Sequence, residues 1–305
     1  MIARTGPQIS RMLRFVGGTL LLLLPFDLLV AVSYVCFGQH WLALPNLPLS
    51  IGSGAIGVVL GFRNSSSYGR WWEARTLWGR IAAYSRSVGR QAVAYISDSD
   101  ERQDHLQVED VRRRIVYYQI AYINALRCQL RGQDPRLELT PFLDKEEIDS
   151  LHRATNVAAE IQRRMAALLQ HSCRRGWLGE VHLALFDQSL TELAASQGGC
   201  ERIKHTPVPK QYDYFLKLVV QGQCILLPLG MVASLGLLTP IGASLLGFIF
   251  LALEKFGRDL EHPFDHSDHD VALTSICRTV EIDLKQYLGD AKLPATIAPV
   301  QGVLW

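Results

Sequence analysis

Residues Ile51–Gly79 read IGSGAIGVVLGFRNSSSYGRWWEARTLWG, and this stretch constrains the fold more than any other part of the chain. It opens as an uncharged apolar run and turns polar at Arg63 without a helix breaker. At about 100° per residue, Ile51, Gly54, Val58 and Phe62 fall on one helical face. Gly57 and Gly61 lie beside that face in a G-x-x-x-G spacing, which lets helices approach closely. Two readings fit this pattern. One is an ordinary packed membrane helix. The other is a pore-lining helix that leaves the bilayer and continues into water, its dry face acting as a constriction that gates by wetting.

Composition supports a membrane part joined to a water-soluble part. Of 305 residues, 49% are hydrophobic and 20% charged. Thirty-one basic residues stand against 29 acidic ones, so no global charge calls for a nucleic-acid partner. The clusters Arg112-Arg113-Arg114 and Arg174-Arg175 read as solvated faces or lipid-headgroup contacts. The six cysteines form no C-x-x-C pair, which fits a reduced compartment and no zinc site.

Phe15–Gly38 is an apolar length sufficient to span, with no small-residue cleavage site after its leucine run. Asp27 within it should face protein or water, as a structural hydrogen-bond partner or an ion-pathway residue. Gln39–Ser50, with Pro45 and Pro48, reads as a loop, and a second span runs from about Leu49 to Phe62. Trp71, Trp72 and Trp78 read as an interfacial belt, as a core beneath the membrane with Arg70 and Glu73 paired nearby, or as both. Asp98–Asp104 is a polar break. Val108–Arg131 is amphipathic, with Val111, Ile115, Tyr118, Tyr122 and Leu126 as its stripe. Asp144 and Glu147 resemble a capping box for a short helix to about His152. A further helix carries Val157, Ile161, Met165 and Leu168. Another runs from Trp177 to Gln197 and closes at Gly198-Gly199, before an extended segment Cys200–Pro209. Tyr212–Leu238 and Ile241–Leu253 are the third and fourth apolar segments, separated by a turn at Thr239-Pro240. A final amphipathic helix spans Val271–Gly289, and the tail from Asp290 is extended.

Charge asymmetry sets the expected topology. Residues 39–50 and 236–243 hold no Lys or Arg, whereas the N-terminus, 63–211 and the C-terminal region hold nearly all of them. Both termini and the soluble region therefore belong to the cytoplasm. The expected fold is all-α: a polytopic membrane protein of four transmembrane helices with a cytosolic helical domain, assembling around a central pore. Its divisions are 1–62, 63–211, 212–256 and 257–305.

Several motifs together resemble the bestrophins, most closely the bacterial members. Gly61-Phe62-Arg63-Asn64, Tyr68, Arg70-Trp71-Trp72-Glu73, Arg75 and Leu77-Trp78-Gly79 are similar to the signature after the family's pore helix. Gly199-Cys200-Glu201-Arg202-Ile203 with Pro207 and Pro209 resembles the segment leading to the third span. Glu261, Pro263 and Phe264 resemble an acidic-x-Pro-Phe turn, and Cys277, Arg278, Glu281, Ile282, Asp283 and Leu284 a closing helix. The order and spacing match across nearly the whole chain.

The resemblance implies a homopentamer in the inner membrane lipid bilayer, conducting small monovalent ions passively. Animal members pass chloride and bacterial relatives favour cations, so a cation preference is expected, with an anion channel of the same architecture as the alternative. The neck rings fall at Gly54, Val58 and Phe62, with Ile51 competing for the upper ring, and the cytosolic aperture falls at Ala184. Gly54 and Ala184 are small where relatives carry bulky apolar residues, which implies wider constrictions. Arg63, Asn64, Arg70, Trp71, Trp72 and Glu73 are expected to be structural.

Animal bestrophins bind calcium at an acidic run that corresponds here to Asp265–Asp270. The interleaved histidines, with His262 nearby, do not reproduce a set of oxygen ligands. A hydrated turn, with no metal site, is expected there. The chain shows no P-loop, dinucleotide-binding glycine pattern or metalloprotease helix, so no cofactor is expected. A membrane-anchored enzyme would need a nucleophile–base pair that does not stand out, and a signalling scaffold is the remaining alternative.

Overall fold

The computed structural model describes residues 9–97, 105–151, 153–207, 210–300 and 302–304. These form α1 (Ile9–Cys36), α2 (Asn46–Tyr95), α3 (His105–Arg131), α4 (Arg136–Leu139), α5 (Lys145–Leu151), α6 (Val157–Arg174), α7 (Glu180–His205), α8 (Lys210–Leu235), α9 (Thr239–Glu261) and α10 (Leu273–Tyr287). No β-strand occurs among the described residues, and Val300 and Val303 form one isolated bridge. The expected break at Asp98–Asp104, together with His152 and Pro209, lies outside the described residues.

The chain divides into two compact units, and α2 contributes to both. The first unit, Arg4–Trp71 with Pro207–His262, contains α1, the first half of α2, α8 and α9. Among the described residues, three stretches are long and apolar enough to cross a membrane: Val16–Cys36, His40–Tyr95 and Asp213–Glu261, the last holding most of α8 and all of α9. Inside this unit, Val16, Leu60, Leu216, Val220, Cys224, Leu251 and Ala252 form a buried cluster flanked by Ile56, Phe248 and Phe256. Leu21, Leu22, Leu29, Leu218, Ile241 and Leu245 point outward from the same helices. Such contiguous outward apolar surface suits lipid or a neighbouring subunit rather than water.

Local chemistry moves several boundaries from where the sequence placed them. The segment expected as a loop to Ser50 is helical from Asn46, because Pro48 sits in the first turn, where its missing N–H costs nothing. Likewise Pro240 occupies the first turn of α9 rather than ending a turn. The polar residues after Leu253 continue α9 to Glu261. The segment expected to close at Gly198-Gly199 is instead α7 running on to His205. Gly199 serves close packing there, since a Cβ would lie 2.8 Å from Leu77 Cδ1.

The second unit contains Trp72–Thr206 and Pro263–Trp305. Its centre is α3, which is buried on nearly all sides from Ile115 to Cys128 rather than along one stripe. Several of the polar side chains forced inside find partners there, while Gln119 Oε1, Gln129 Oε1 and Gln197 Oε1 have none. Gln119 Nε2 donates to Ser85 Oγ at 2.8 Å and Asn124 Nδ2 to the Ile120 carbonyl at 2.9 Å. Glu201 is a node, accepting from Gln129 Nε2, Asn156 Nδ2 and Gln197 Nε2 at 3.0, 2.9 and 2.8 Å. The same Asn156 caps α6 by accepting from the Ala159 N–H. Trp78 is fully buried, so it belongs to this core and not to an interfacial belt. Burial pushes the Cys200 and Cys277 thiols up to about 12, which keeps both protonated and unreactive.

Gly89 of α2 faces α10 so closely that a Cβ would overlap the buried Leu284 side chain. Gly89→Ala gains about 1 kcal/mol of helix propensity but incurs overpacking of ~1–3 kcal/mol. The variant should unfold at a lower temperature than wild type in detergent; a raised melting temperature would show that this contact yields freely.

Candidate functional site: an outward stripe and its buried anchor

In the first unit, the inner face of α2 is set by Leu60, Arg63 and Ser67, all buried. Apolar packing explains Leu60; the other two need partners. The Arg63 side chain is only 4% exposed and meets three carboxylates. Its Nη2 pairs with Asp213 Oδ1 at the start of α8. Nη1 lies 3.6 Å from Glu254 Oε1, and Nη2 lies 3.6 Å from Glu261 Oε2, both on α9. Nη1 also donates to the Glu254 carbonyl at 3.3 Å. Glu254 is shared with Arg258 Nη2 at 3.2 Å. Two turns further along α2, Arg70 Nε donates to the Glu261 carbonyl at 2.9 Å.

Close approach makes this possible. A Cβ at Gly257 would overlap Asn64 Oδ1, so glycine lets α9 pack against α2 beside the guanidinium. Further up the helix, Gln223 Nε2 of α8 donates to Ser53 Oγ at 2.7 Å. Both contacts fix the rotation of α2 about its axis.

The opposite face is thereby turned out. Ile51, Gly54, Val58, Phe62, Ser65 and Gly69 are all exposed, with Phe62 at 70% and Val58 at 59%. At about 100° per residue this stripe lies roughly half a turn from Leu60, Arg63 and Ser67. The stripe therefore joins the three residues expected for the neck, and Ile51 shares it with Gly54. It carries no carboxylate: the first acid in α2 is Glu73. Asp27 of α1 is buried, so it faces protein, and its Oδ1 has no hydrogen-bond partner.

In the second unit, α7 shows the same logic at Ala184. Gln91 Nε2 donates to the Leu185 carbonyl at 3.4 Å, and Ser189 Oγ donates to Gln91 Oε1 at 3.2 Å. Phe186, Leu190 and Leu193 are buried. Glu180, Ala184, Asp187 and Thr191 consequently form an exposed face. Ala184 thus sits between two acids, a feature that sequence reading passed over although the spacing 180, 184, 187 displays it.

The signature residues after Phe62 divide between the units. Glu73 pairs with Arg202 of α7, and Arg70 reaches the Glu261 carbonyl, so these two take partners of their own rather than the mutual pairing expected. Trp71 is half-buried and stacks on Tyr68 at 6.1 Å, whereas Trp72 is exposed. At 262–270 the chain forms a turn in which Asp270 accepts from the His266 N–H at 2.6 Å and from Ser267 Oγ. His266 has φ +66°. The Asp270 carboxylate is spent on shaping that turn.

A long α2 presenting an apolar stripe, anchored to two further apolar helices and continuing into the helical second unit, defines a helical membrane protein. A profile of the family described as bacterial/fungal bestrophin protein matches residues 2–286, and the chain belongs to that family. The chain is 33% identical over 252 residues to the voltage-dependent anion channel-forming protein YneE of Escherichia coli K12, covering 83% of this chain and 80% of that relative. It is 33% identical over 284 residues to the voltage-dependent anion channel-forming protein RSc3414 of Ralstonia nicotianae, covering 91% and 90%. A crystal structure of a bacterial bestrophin homologue from Klebsiella pneumoniae superposes with a TM-score of 0.81 at 32% identity, over 90% of this chain and 98% of that one.

Breaking one side of a buried ion pair costs ~3–5 kcal/mol, because the remaining charges stay buried. Asp213 is partly exposed, which places this cluster toward the lower end. Arg63→Met should therefore lower the melting temperature sharply, and Arg63→Lys less so. If Arg63→Met melts with wild type, the cluster does not anchor α2.

Proposed function

We propose that the chain forms a passive anion channel in the inner membrane, a homopentamer whose neck is lined by Gly54, Val58 and Phe62 of each copy. The observation that carries this reading is the outward stripe of α2, held in rotation by buried Arg63. An exposed face this apolar needs a partner, and five copies around an axis would place it against the permeating ion. Phe62 is the bulkiest member, so its ring is the narrowest and gates by dewetting. Four spans, formed by α1, the start of α2, α8 and α9, fit the apolar stretches. The distribution of Lys and Arg supports cytoplasmic termini and a cytosolic 63–211 region. The 1–62, 63–211, 212–256 and 257–305 divisions follow from that topology.

Anions are favoured for two reasons. The relatives above are named for anion channels, and the proposed neck has no ring of carboxylates such as cation channels use. The cation preference implied by family resemblance keeps one observation of its own: Glu180 and Asp187 flank Ala184 on one exposed face of α7. Repeated around an aperture, those acids would attract cations.

Bilayer recordings under a potassium chloride gradient separate the two. The reversal potential should lie on the chloride side of zero, and Phe62→Ala should raise flux without moving it. A reversal on the potassium side that Asp187→Asn brings back toward zero would give the pore to cations. Unchanged flux in assembled Phe62→Ala would remove that ring as the barrier.

A further inference from the structure

Residues 28–62 and 218–253 contain no Asp, Glu, Lys or Arg. Each run holds a connection between two helices of the first unit: α1 to α2 in one, α8 to α9 in the other. Both connections lie at the end of the unit away from Arg63, and they meet. The Leu44 N–H donates to the Leu229 carbonyl at 2.9 Å. A Cβ at Gly236, in the α8–α9 turn, would lie 3.6 Å from Val35 Cγ2 of α1.

Large apolar side chains project from this end. Trp41 is 77% exposed and Phe37 72%, and Leu47, Leu237, Leu238 and Ile241 are exposed as well. Contiguous apolar surface of this kind is not what a connection offers to water.

The hydrogen bonds of the same connections are settled internally. The N–H groups of Gln39, His40, Leu42 and Ala43 donate to the carbonyls of Ser33, Gly38, Gln39 and His40 at 2.9–3.2 Å. Pro45 has no N–H to place. The Trp41 indole Nε1 donates to Gln39 Oε1 at 2.8 Å. In the α8–α9 turn, the Thr239 N–H and hydroxyl both donate to the Gly236 carbonyl. Gly38 and Gly236, at φ +65° and +53°, let the chain turn tightly enough for this. A loop in water can leave its donors to solvent, whereas backbone at the edge of hydrocarbon has to pair its own.

We propose that this end of the first unit is seated in the headgroup boundary of the bilayer, with Trp41 and Phe37 lying among lipid headgroups and upper acyl chains. Aromatic rings with one apolar body and a polar handle favour that level. The surface also continues the apolar stretches Val16–Cys36 and Asp213–Glu261 with no charged rim between them and it. A protein partner fits less well, because protein interfaces exchange roughly one hydrogen bond per 100–200 Å² and these donors are already used. Seating the 37–47 connection in lipid fixes the depth at which α2 begins, and so the level of its outward stripe.

The test reads Trp41 fluorescence in the full-length protein reconstituted in phosphatidylcholine liposomes. The chain has six tryptophans, so the Trp41 signal is taken as the difference between wild type and Trp41→Phe. Lipids brominated at the headgroup end of the acyl chain should remove most of that signal, and lipids brominated near the chain terminus less of it. Aqueous iodide should quench it several-fold less than it quenches free tryptophan. Phe37→Trp in the Trp41→Phe background should restore a signal with the same order of quenching. Iodide quenching as strong as for free tryptophan would put the connection in water. A signal reached by neither bromine nor iodide would give the surface to another subunit, and stronger quenching from the chain terminus would place it in the bilayer core. Each of these three results overturns the proposal.

Discussion

One guanidinium determines how the first unit is arranged. Arg63 sits on an otherwise apolar helix, inside protein, and a buried charge without partners is too costly to keep. Its partners come from two other helices, Asp213 from α8 and both Glu254 and Glu261 from α9. Apolar packing around Leu60 and Val220 tolerates small rotations of α2; a fork contacting three carboxylates does not. Fixing Arg63 inward fixes Phe62, one residue earlier, outward. The residue that anchors and the residue that is presented are thus adjacent in sequence, and neither role is separable from the other.

The cluster also explains the neighbouring glycine and the reach of α9. Gly257 is needed because Asn64 occupies the space its side chain would take. Glu254 and Glu261 are seven residues apart, two helical turns, so both can face one guanidinium only if α9 stays helical past its apolar part. Of the polar residues that end α9, Glu254 and Glu261 are buried toward Arg63, while Lys255, Arg258 and Asp259 are only part-buried.

Much of this was legible in the residues. The spacing of Gly54, Val58 and Phe62 gave the exposed face of α2, and the uninterrupted run through Arg63 gave a helix that outlasts its apolar part. Helical signals of this kind are local, so sequence carries them. Partners across helices are not local. Arg63 and Asp213 are 150 residues apart, and no periodicity links them, although the i, i+7 spacing of Glu254 and Glu261 was a usable sign of a shared face. Gly198-Gly199 misled for a related reason. Glycine reads as a helix end from propensity, but here Gly199 gives room to Leu77, a tertiary requirement that no local rule contains. The central burial of α3 was also underestimated, since Gln119, Asn124 and Arg127 look like solvent-facing residues until Ser85, the Ile120 carbonyl and Glu138 are supplied as partners.

The central claim is that Arg63 sets which face of α2 meets the ion path. Cysteines introduced singly from 51 to 67, in a background whose native cysteines are replaced, can be probed with a charged, water-soluble thiol reagent while current is recorded. The account predicts modification and block at 54, 58 and 62, with 60 and 67 protected. Modification at 60 and 67 with 54, 58 and 62 spared would place the opposite face on the path and contradict it.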